Sequence, residues 1–203
     1  MLKKIEYLKV SPADYEILTN IMTSAFNEDT FMHTGLKEGG PKGYNDGSLI
    51  KRLNEHENFE SRKIIYENEI AGAYTVATEP DHKYILEILF IDPKYRKDHL
   101  GSIVWKGIEQ KYADAKKWIV ETPEYSKRNY HFYTEKCGFV FKAVNTYDDG
   151  ARSFIFEKWE RIVPTLDDAK LILEEGQRLS PGPWIYHSIN VGKAARLIAE
   201  KCK

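Results

Sequence analysis

The apolar run YILEILFI at residues 84 to 91 constrains this chain more than any other stretch. Asp92 and Pro93 close it, the loop YRKDHLGS at 95 to 102 follows, and IVWKGIEQKYADAKK then carries its apolar residues at helical spacing. A strand that hands over directly to a helix belongs to a mixed architecture of sheet and helices. Such a helix presents its first N–H groups without intrahelical partners, and together with the helix dipole they form a site for phosphate oxygens. Gly101 allows close approach to the backbone there. Arg96 and Lys97 add positive charge, which Asp98 partly offsets. Many turns of this kind hold a glycine and a lysine for purely structural reasons, so other features must decide what the loop does.

The rest of the chain supplies the order of elements. KKIEYLKV, residues 3 to 10, alternates polar with apolar residues as a first strand, and SPADYEILTNIMTSAF opens a helix with Ser11 as cap and Pro12 at its first position. Residues 27 to 47, rich in glycine and polar groups, read as a loop before a weaker helix, SLIKRLNEHENF. SRKIIYE and IAGAYTVAT form a hairpin about Asn68 and Glu69, and KYILEILFI follows the EPDH turn. After the helix near Leu100 come the strand KKWIVET, the helix KRNYHFYTEKC ended by Gly138, and a hairpin of FVFKAVNTYD with RSFIFEKWE. The order β-α-α-β-β-β-α-β-α-β-β implies an α/β (α+β) domain with a mixed, mostly antiparallel sheet. Beyond Trp159 the periodicity is helical alone, with Thr165 as a cap and SPGP as a break. The domains expected are therefore residues 1–160 and a helical appendage, 161–203.

Composition limits the function. At 203 residues, 42% hydrophobic and 30% charged, the sequence is that of a globular protein of one main domain. A net charge of −1 and the lack of a basic stripe with interleaved aromatics argue against a nucleic-acid partner. The sequence contains no apolar run long enough for a membrane span and no signal-peptide core at MLKKIEYLKV, so a cytoplasmic location is expected. Two cysteines, Cys137 and Cys202, suggest reduced thiols, and six scattered histidines show no metal-ligand spacing.

ILFIDPKYRKDHLGSIV, followed by a strand, a helix and FYTEKCGFV, resembles the acetyl-CoA signature of the GCN5-related N-acetyltransferases (GNAT), and the strand order above is similar to theirs over residues 1 to 160. In that family the fourth strand ends in an apolar residue, one more residue and a proline, matched by Ile91, Asp92 and Pro93. The motif continues as Arg or Gln, two residues, Gly, one residue, and Gly or Ala. Here it reads Arg96, Lys97, Asp98, then His99 in the first glycine's place, Leu100, and Gly101. A side chain at His99 in a geometry suited to glycine costs about 1 kcal/mol. The resemblance implies that backbone groups of Leu89, Phe90 and Ile91 pair with the pantetheine amides of acetyl-CoA in a gap between the fourth and fifth strands. It also implies that amides from Arg96 to Ser102 bind the pyrophosphate, and that Asn129 touches the cofactor from the later helix.

Acyl transfer to an amine needs a deprotonated amine, a polarised thioester carbonyl and a proton for the departing thiolate. Glu87 lies in an otherwise apolar strand, where relatives often place the acid that receives the amine's proton; the other reading is a charge on an exposed sheet face. The family positions a tyrosine near the thioester sulfur four residues before the Gly-Phe pair, which here is Thr134. A variant pattern one residue earlier gives Tyr133, the better acid. No histidine and acid are spaced to make Cys137 a nucleophile, so direct transfer is expected. The function implied is acetyl-CoA-dependent N-acetylation of a primary amine on a small molecule or protein, without a metal. The alternative is a non-catalytic acyl-CoA-binding module. The loop at 27 to 47 mixes Glu28, Asp29 and Glu38 with Phe31, Met32 and Tyr44, which suits a cationic acceptor.

The tail from Pro164 is similar to the opening of HD-domain phosphohydrolases, in which a Pro-Trp segment leads to a metal-binding histidine, here His187. The sequence has no His-Asp dipeptide to complete such a site. Two accounts fit: a fragment of a longer fusion, or two helices that pack on the first domain or on a partner, with a homodimer as one outcome.

Overall fold

Two compact units, Met1–Glu160 and Arg161–Lys203, divide the chain, and the computed structural model describes residues 5–160 and 166–201. In the first unit a seven-stranded sheet runs in the order β1 (Ile5–Lys9), β2 (Phe59–Tyr66), β3 (Glu69–Glu79), β4 (Lys83–Ile91), β5 (Lys117–Pro123), β7 (Arg152–Trp159) and β6 (Val140–Thr146). Each neighbouring pair is antiparallel except β4 with β5, which is parallel. A parallel pair needs a crossover, and α3 (Leu100–Lys111) provides it. The mixed, mostly antiparallel sheet flanked by helices is the architecture that the order of sequence elements implied.

One expected boundary is wrong. Helix α1 runs Tyr15–Thr34, so Glu28, Asp29, Phe31 and Met32 stand on a helix, and the loop starts only at Gly35. Gly35 ends the helix in the left-handed region, φ 76°, with its N–H donated to the Phe31 carbonyl at 3.0 Å. The polar residues that made this stretch look like loop are used in tertiary contacts. Asn27 Oδ1 accepts the Gly39 N–H and the Tyr44 hydroxyl, and Thr30 donates to the Gly39 carbonyl. The loop thus folds back on α1 before α2 (Ser48–Glu55) begins. The β2–β3 turn also lies one residue earlier than expected, with Glu67 and Asn68 both at positive φ, as a two-residue hairpin requires.

Two apolar clusters cover the two faces of the sheet. Tyr84 and Leu86 of β4 pack with Trp105, Ile108 and Trp118, whereas Ile88 and Phe90 pack with Leu18 and Met22 of α1 and Leu49, Ile50 and Leu53 of α2. Strand side chains alternate between faces, so 84, 86, 88 and 90 would share one face in a regular strand. A bulge makes the difference. Thr75 pairs with Ile88 and Val76 with Leu86, which leaves Glu87 unmatched and inverts the alternation beyond it. Leu89 and Ile91 accordingly pack against the first cluster.

Helix α4 (Lys127–His131) continues into a wider turn, Phe132–Lys136, in which the Cys137 N–H reaches back five residues to the Phe132 carbonyl at 3.1 Å. The second unit holds α5 (Leu166–Leu179) and α6 (Trp184–Lys201). Trp184 Nε1 donates to the Ser180 carbonyl at 2.7 Å, and a Cβ on Gly176 would stand 2.7 Å from the Trp184 ring, so these helices meet at that glycine. His187 is exposed on α6, while Thr165 and Cys202 lie outside the described residues. Among the described residues no helix is long and apolar enough to cross a membrane.

Candidate active site

Strands β4 and β5 pair only over Lys83–Leu86 with Lys117–Val120. Past Leu86 and Val120, β5 remains bonded to β7, β4 remains bonded to β3, and the two strands part. A cleft of about 330 Å³ opens beside the diverging half of β4, within the size range of small-molecule sites. Its walls are Leu89 to Pro93 and Tyr95 from β4 and its exit, His99 to Ser102 from the start of α3, Ala25, Phe26 and Asp29 from α1, and Arg128, Asn129, His131, Phe132, Tyr133 and Lys136 from α4 and its wide turn.

The structure therefore brings together Leu89, Phe90, Ile91, His99, Leu100, Gly101, Ser102, Asn129 and Tyr133 among the residues singled out in the sequence. Asp98 stands off the cleft lining, and its carboxylate accepts the Tyr66 hydroxyl at 2.9 Å, which ties the loop to β2. The side chains of Arg96 and Lys97 lie outside the described residues. His99 adopts φ 53°, the left-handed geometry in which a glycine costs nothing, and its carbonyl accepts the Ser102 N–H at 3.1 Å to begin α3. Gly101 keeps the gap open toward the opposite wall: a Cβ there would meet the Phe132 ring at 3.3 Å.

Tyr133 and Thr134 are separated by the wide turn. With five residues rather than four per hydrogen-bonded ring, the residue that faces inward shifts one place earlier, and Tyr133 is the one that lines the cleft. Thr134 is exposed and donates its hydroxyl to the Tyr130 carbonyl at 2.9 Å, so the structure does not bring it to the cleft. Tyr133 is 7% exposed, and burial pushes its phenol pKa up, with Cys137 adding to the rise. Burial also pushes the Cys137 thiol up to about 12, against the opposing pull of Lys158; a thiol so buried and protonated is no nucleophile at neutral pH.

Glu87 does not line the cleft; it is exposed on the bulge, where β4 leaves β5. Crowding by neighbouring protein raises its pKa, His56 opposes, and Glu121 and Glu79 reinforce the rise. Glu121 is the first residue of β5 beyond the last pair with β4, as Glu87 is on β4. Its Oε1 accepts the Tyr147 hydroxyl at 2.5 Å, Asn145 Nδ2 at 3.1 Å and the Ser153 hydroxyl. Desolvation works to raise the Glu121 pKa, but these donors outweigh it and the net shift is downward. Two carboxylates at the branch point thus differ in character, one held ionised and one inclined to hold a proton.

Sequence reasoning missed Glu121, whose donors arrive from β6, β7 and the turn between them. It also placed Asp29 in a loop and passed over Arg128. Asp29 is buried, with Arg128 Nη2 3.0 Å from its Oδ1. Only the spacing of Asp29 and His33 by four residues, one helical turn, hinted that the two share a face.

Comparison with known proteins bears on this site. The model of the acetyltransferase (GNAT) family matches residues 23–139. An acetyltransferase from Thermus thermophilus superposes with a TM-score of 0.60 at 12% identity, over 77% of this chain and 97% of that one. The PaiA N-acetyltransferase of Thermoplasma acidophilum, solved in complex with coenzyme A, superposes with a TM-score of 0.58 at 19% identity, over 77% of this chain and 99% of that one. An uncharacterized protein of Bacillus subtilis (strain 168), YrkN, is 34% identical over 70 residues, which is 34% of this chain and 38% of that relative's length.

Proposed function

The chain belongs to the GNAT family of acyltransferases, and from that premise we propose that it transfers an acetyl group from acetyl-CoA directly to a primary amine of a small molecule or protein. The observation that carries this reading is the half-paired β4 strand. Its free edge, the cleft along it and the start of α3 at the cleft's end lie in the order that an acyl-pantetheine followed by a pyrophosphate needs. Coenzyme A in the Thermoplasma relative supports the same choice of donor.

In this reading the pantetheine amides pair with backbone groups of Leu89 to Ile91, and N–H groups from His99 to Gly101 receive the pyrophosphate. The left-handed turn at His99 sets the direction of those groups, and Asn129 stands on the cofactor's other side. The thioester then points toward the branch of β4 and β5. Glu87, directly or through water, takes a proton from the acceptor ammonium. The free amine attacks the thioester carbonyl, the C–N bond forms as the C–S bond breaks, the thiolate takes the Tyr133 hydroxyl proton, and the proton that the nitrogen sheds on becoming an amide restores the phenol. Tyr133 lines the cleft, and burial raises its phenol pKa, so the hydroxyl carries its proton at neutral pH. Glu121 stays ionised beside Glu87 and raises the latter's affinity for the proton it must accept.

Calorimetric titration with acetyl-CoA and with desulfo-CoA tests the donor. Saturable binding that is lost in Gly101→Trp, whose ring would fill the space against Phe132, is the expected result. No binding by the unaltered chain at millimolar donor contradicts the proposal. A screen of amines with the thiol product as readout then identifies the acceptor.

A further inference from the structure

The second unit leaves its apolar side chains uncovered. Among its described residues none is buried, although α5 and α6 run for 14 and 18 residues. Helices of that length are marginal in water by themselves and hold their shape by packing an apolar face against something. Within the unit the two helices meet where the Trp184 ring faces Gly176. Ile172 and Leu179 stand seven positions apart on α5, as do Val191 and Ile198 on α6, so each pair forms a seam along one side of its helix. All four are between 53% and 69% exposed. Together with the partly exposed Trp184 and Ile189 they present on the order of 600 Å² of apolar surface, at about 100 Å² for each side chain.

The size of that surface and the charge around it say what covers it. By sequence, α5 carries Asp167, Asp168, Glu174 and Glu175 against Lys170 and Arg178, a net charge of −2, whereas α6 carries Lys193, Arg196 and Lys201 against Glu200, a net charge of +2 with His187 neutral. A strongly acidic or strongly basic partner would suit one helix and be repelled by the other. A second copy suits both, because a two-fold axis sets α5 of each chain beside α6 of its partner, acidic against basic twice over. Two copies would bury about 1,200 Å² between them, the lower bound for a stable and specific interface. We infer that the two-helix unit is a dimerisation module, in which the hairpins of two copies pack through the Ile172–Leu179 and Val191–Ile198 seams as a four-helix assembly. The inference does not depend on the acyl-donor reading.

Sedimentation equilibrium of the full chain across the micromolar range tests the module. The unaltered chain is expected to show monomer and dimer with no larger species, since a two-fold interface closes on itself. Charges placed in the seam, as in Val191→Glu combined with Ile198→Glu, should weaken association about a hundredfold. Charge reversal keeps the test decisive should that variant lose its helices. Glu174→Lys with Glu175→Lys makes both helices basic, and Lys193→Glu with Arg196→Glu makes both acidic. Each reversed chain alone should associate about tenfold more weakly than the unaltered chain, and an equimolar mixture should regain dimers that contain one copy of each. That recovery also shows that both reversed chains have folded. A chain that stays monomeric throughout overturns the inference, as does a mass that keeps growing with concentration. Dimerisation unaltered by the paired seam substitutions, or a mixture that associates no better than its components, overturns it equally.

Discussion

Strand β4 is used differently along its length. From Lys83 to Leu86 it is hydrogen-bonded on both edges, to β3 and to β5, and its inward side chains Tyr84 and Leu86 are buried against the aromatic cluster of Trp105 and Trp118. Past the unmatched Glu87, from Ile88 to Ile91, it is bonded to β3 alone, and its other edge faces a cleft. The residues on either side of the change are equally apolar, so hydrophobicity does not distinguish the half that holds the sheet from the half that meets a ligand. The bulge at Glu87 does. It inverts the side-chain alternation, lets the second half pack on different helices from the first, and places a carboxylate where the strands part.

Substitutions in the two halves should therefore separate folding from chemistry. The largest effect is expected from Glu87→Gln, about a hundredfold loss in kcat/KM, the size usual for removal of a general base. Its pH signature is specific. The raised Glu87 pKa puts the acidic limb of the rate profile above the ordinary carboxylate range, and the variant loses that limb. Because the folded-state pKa lies above the unfolded value, this group's contribution to stability is present below the unfolded pKa and declines as pH rises through the folded one. Glu87→Gln should thus leave denaturant stability at pH 7 the same or slightly higher.

Next in size is Leu86→Ala, which should cost about 3 kcal/mol in denaturant unfolding, since Leu86 is 1% exposed in the core. Leu89→Ala, half-buried at the cleft, should cost about 1 kcal/mol while weakening CoA binding. Equal stability losses from the two would erase the proposed division of the strand. Tyr133→Phe should lower kcat about tenfold with CoA affinity unchanged. Thr134→Val, whose hydroxyl is spent on the Tyr130 carbonyl, should change neither by more than about twofold. A rate loss in the threonine variant and none in the tyrosine variant would assign the proton donor the other way round.

Much of the fold was legible because period and punctuation agree in this chain. KYILEILFI lies within a strand, Gly138 ends the α4 region at φ 76°, and the helix of the crossover starts at Leu100. What the sequence hid was tertiary. The polar stretch after Phe26 looks like loop until Asn27 and Thr30 are seen to bind the segment that folds back on them. The order of Tyr133 and Thr134 depends on one extra residue in a helical turn, which no local spacing reveals. Asp29 and Arg128 stand 99 positions apart, on α1 and α4, and only the tertiary fold brings their side chains to 3.0 Å.

Amide hydrogen exchange along β4, with and without coenzyme A, tests the account most directly. If the diverging half offers its free edge to the pantetheine arm, amides between Glu87 and Ile91 that face away from β3 should exchange more slowly once coenzyme A is bound, while Lys83 to Leu86 stay as they were. Unaltered exchange in Glu87–Ile91 at saturating coenzyme A, or slowing shared equally by both halves, would contradict the claim that one half of this strand holds the sheet and the other holds the acyl donor.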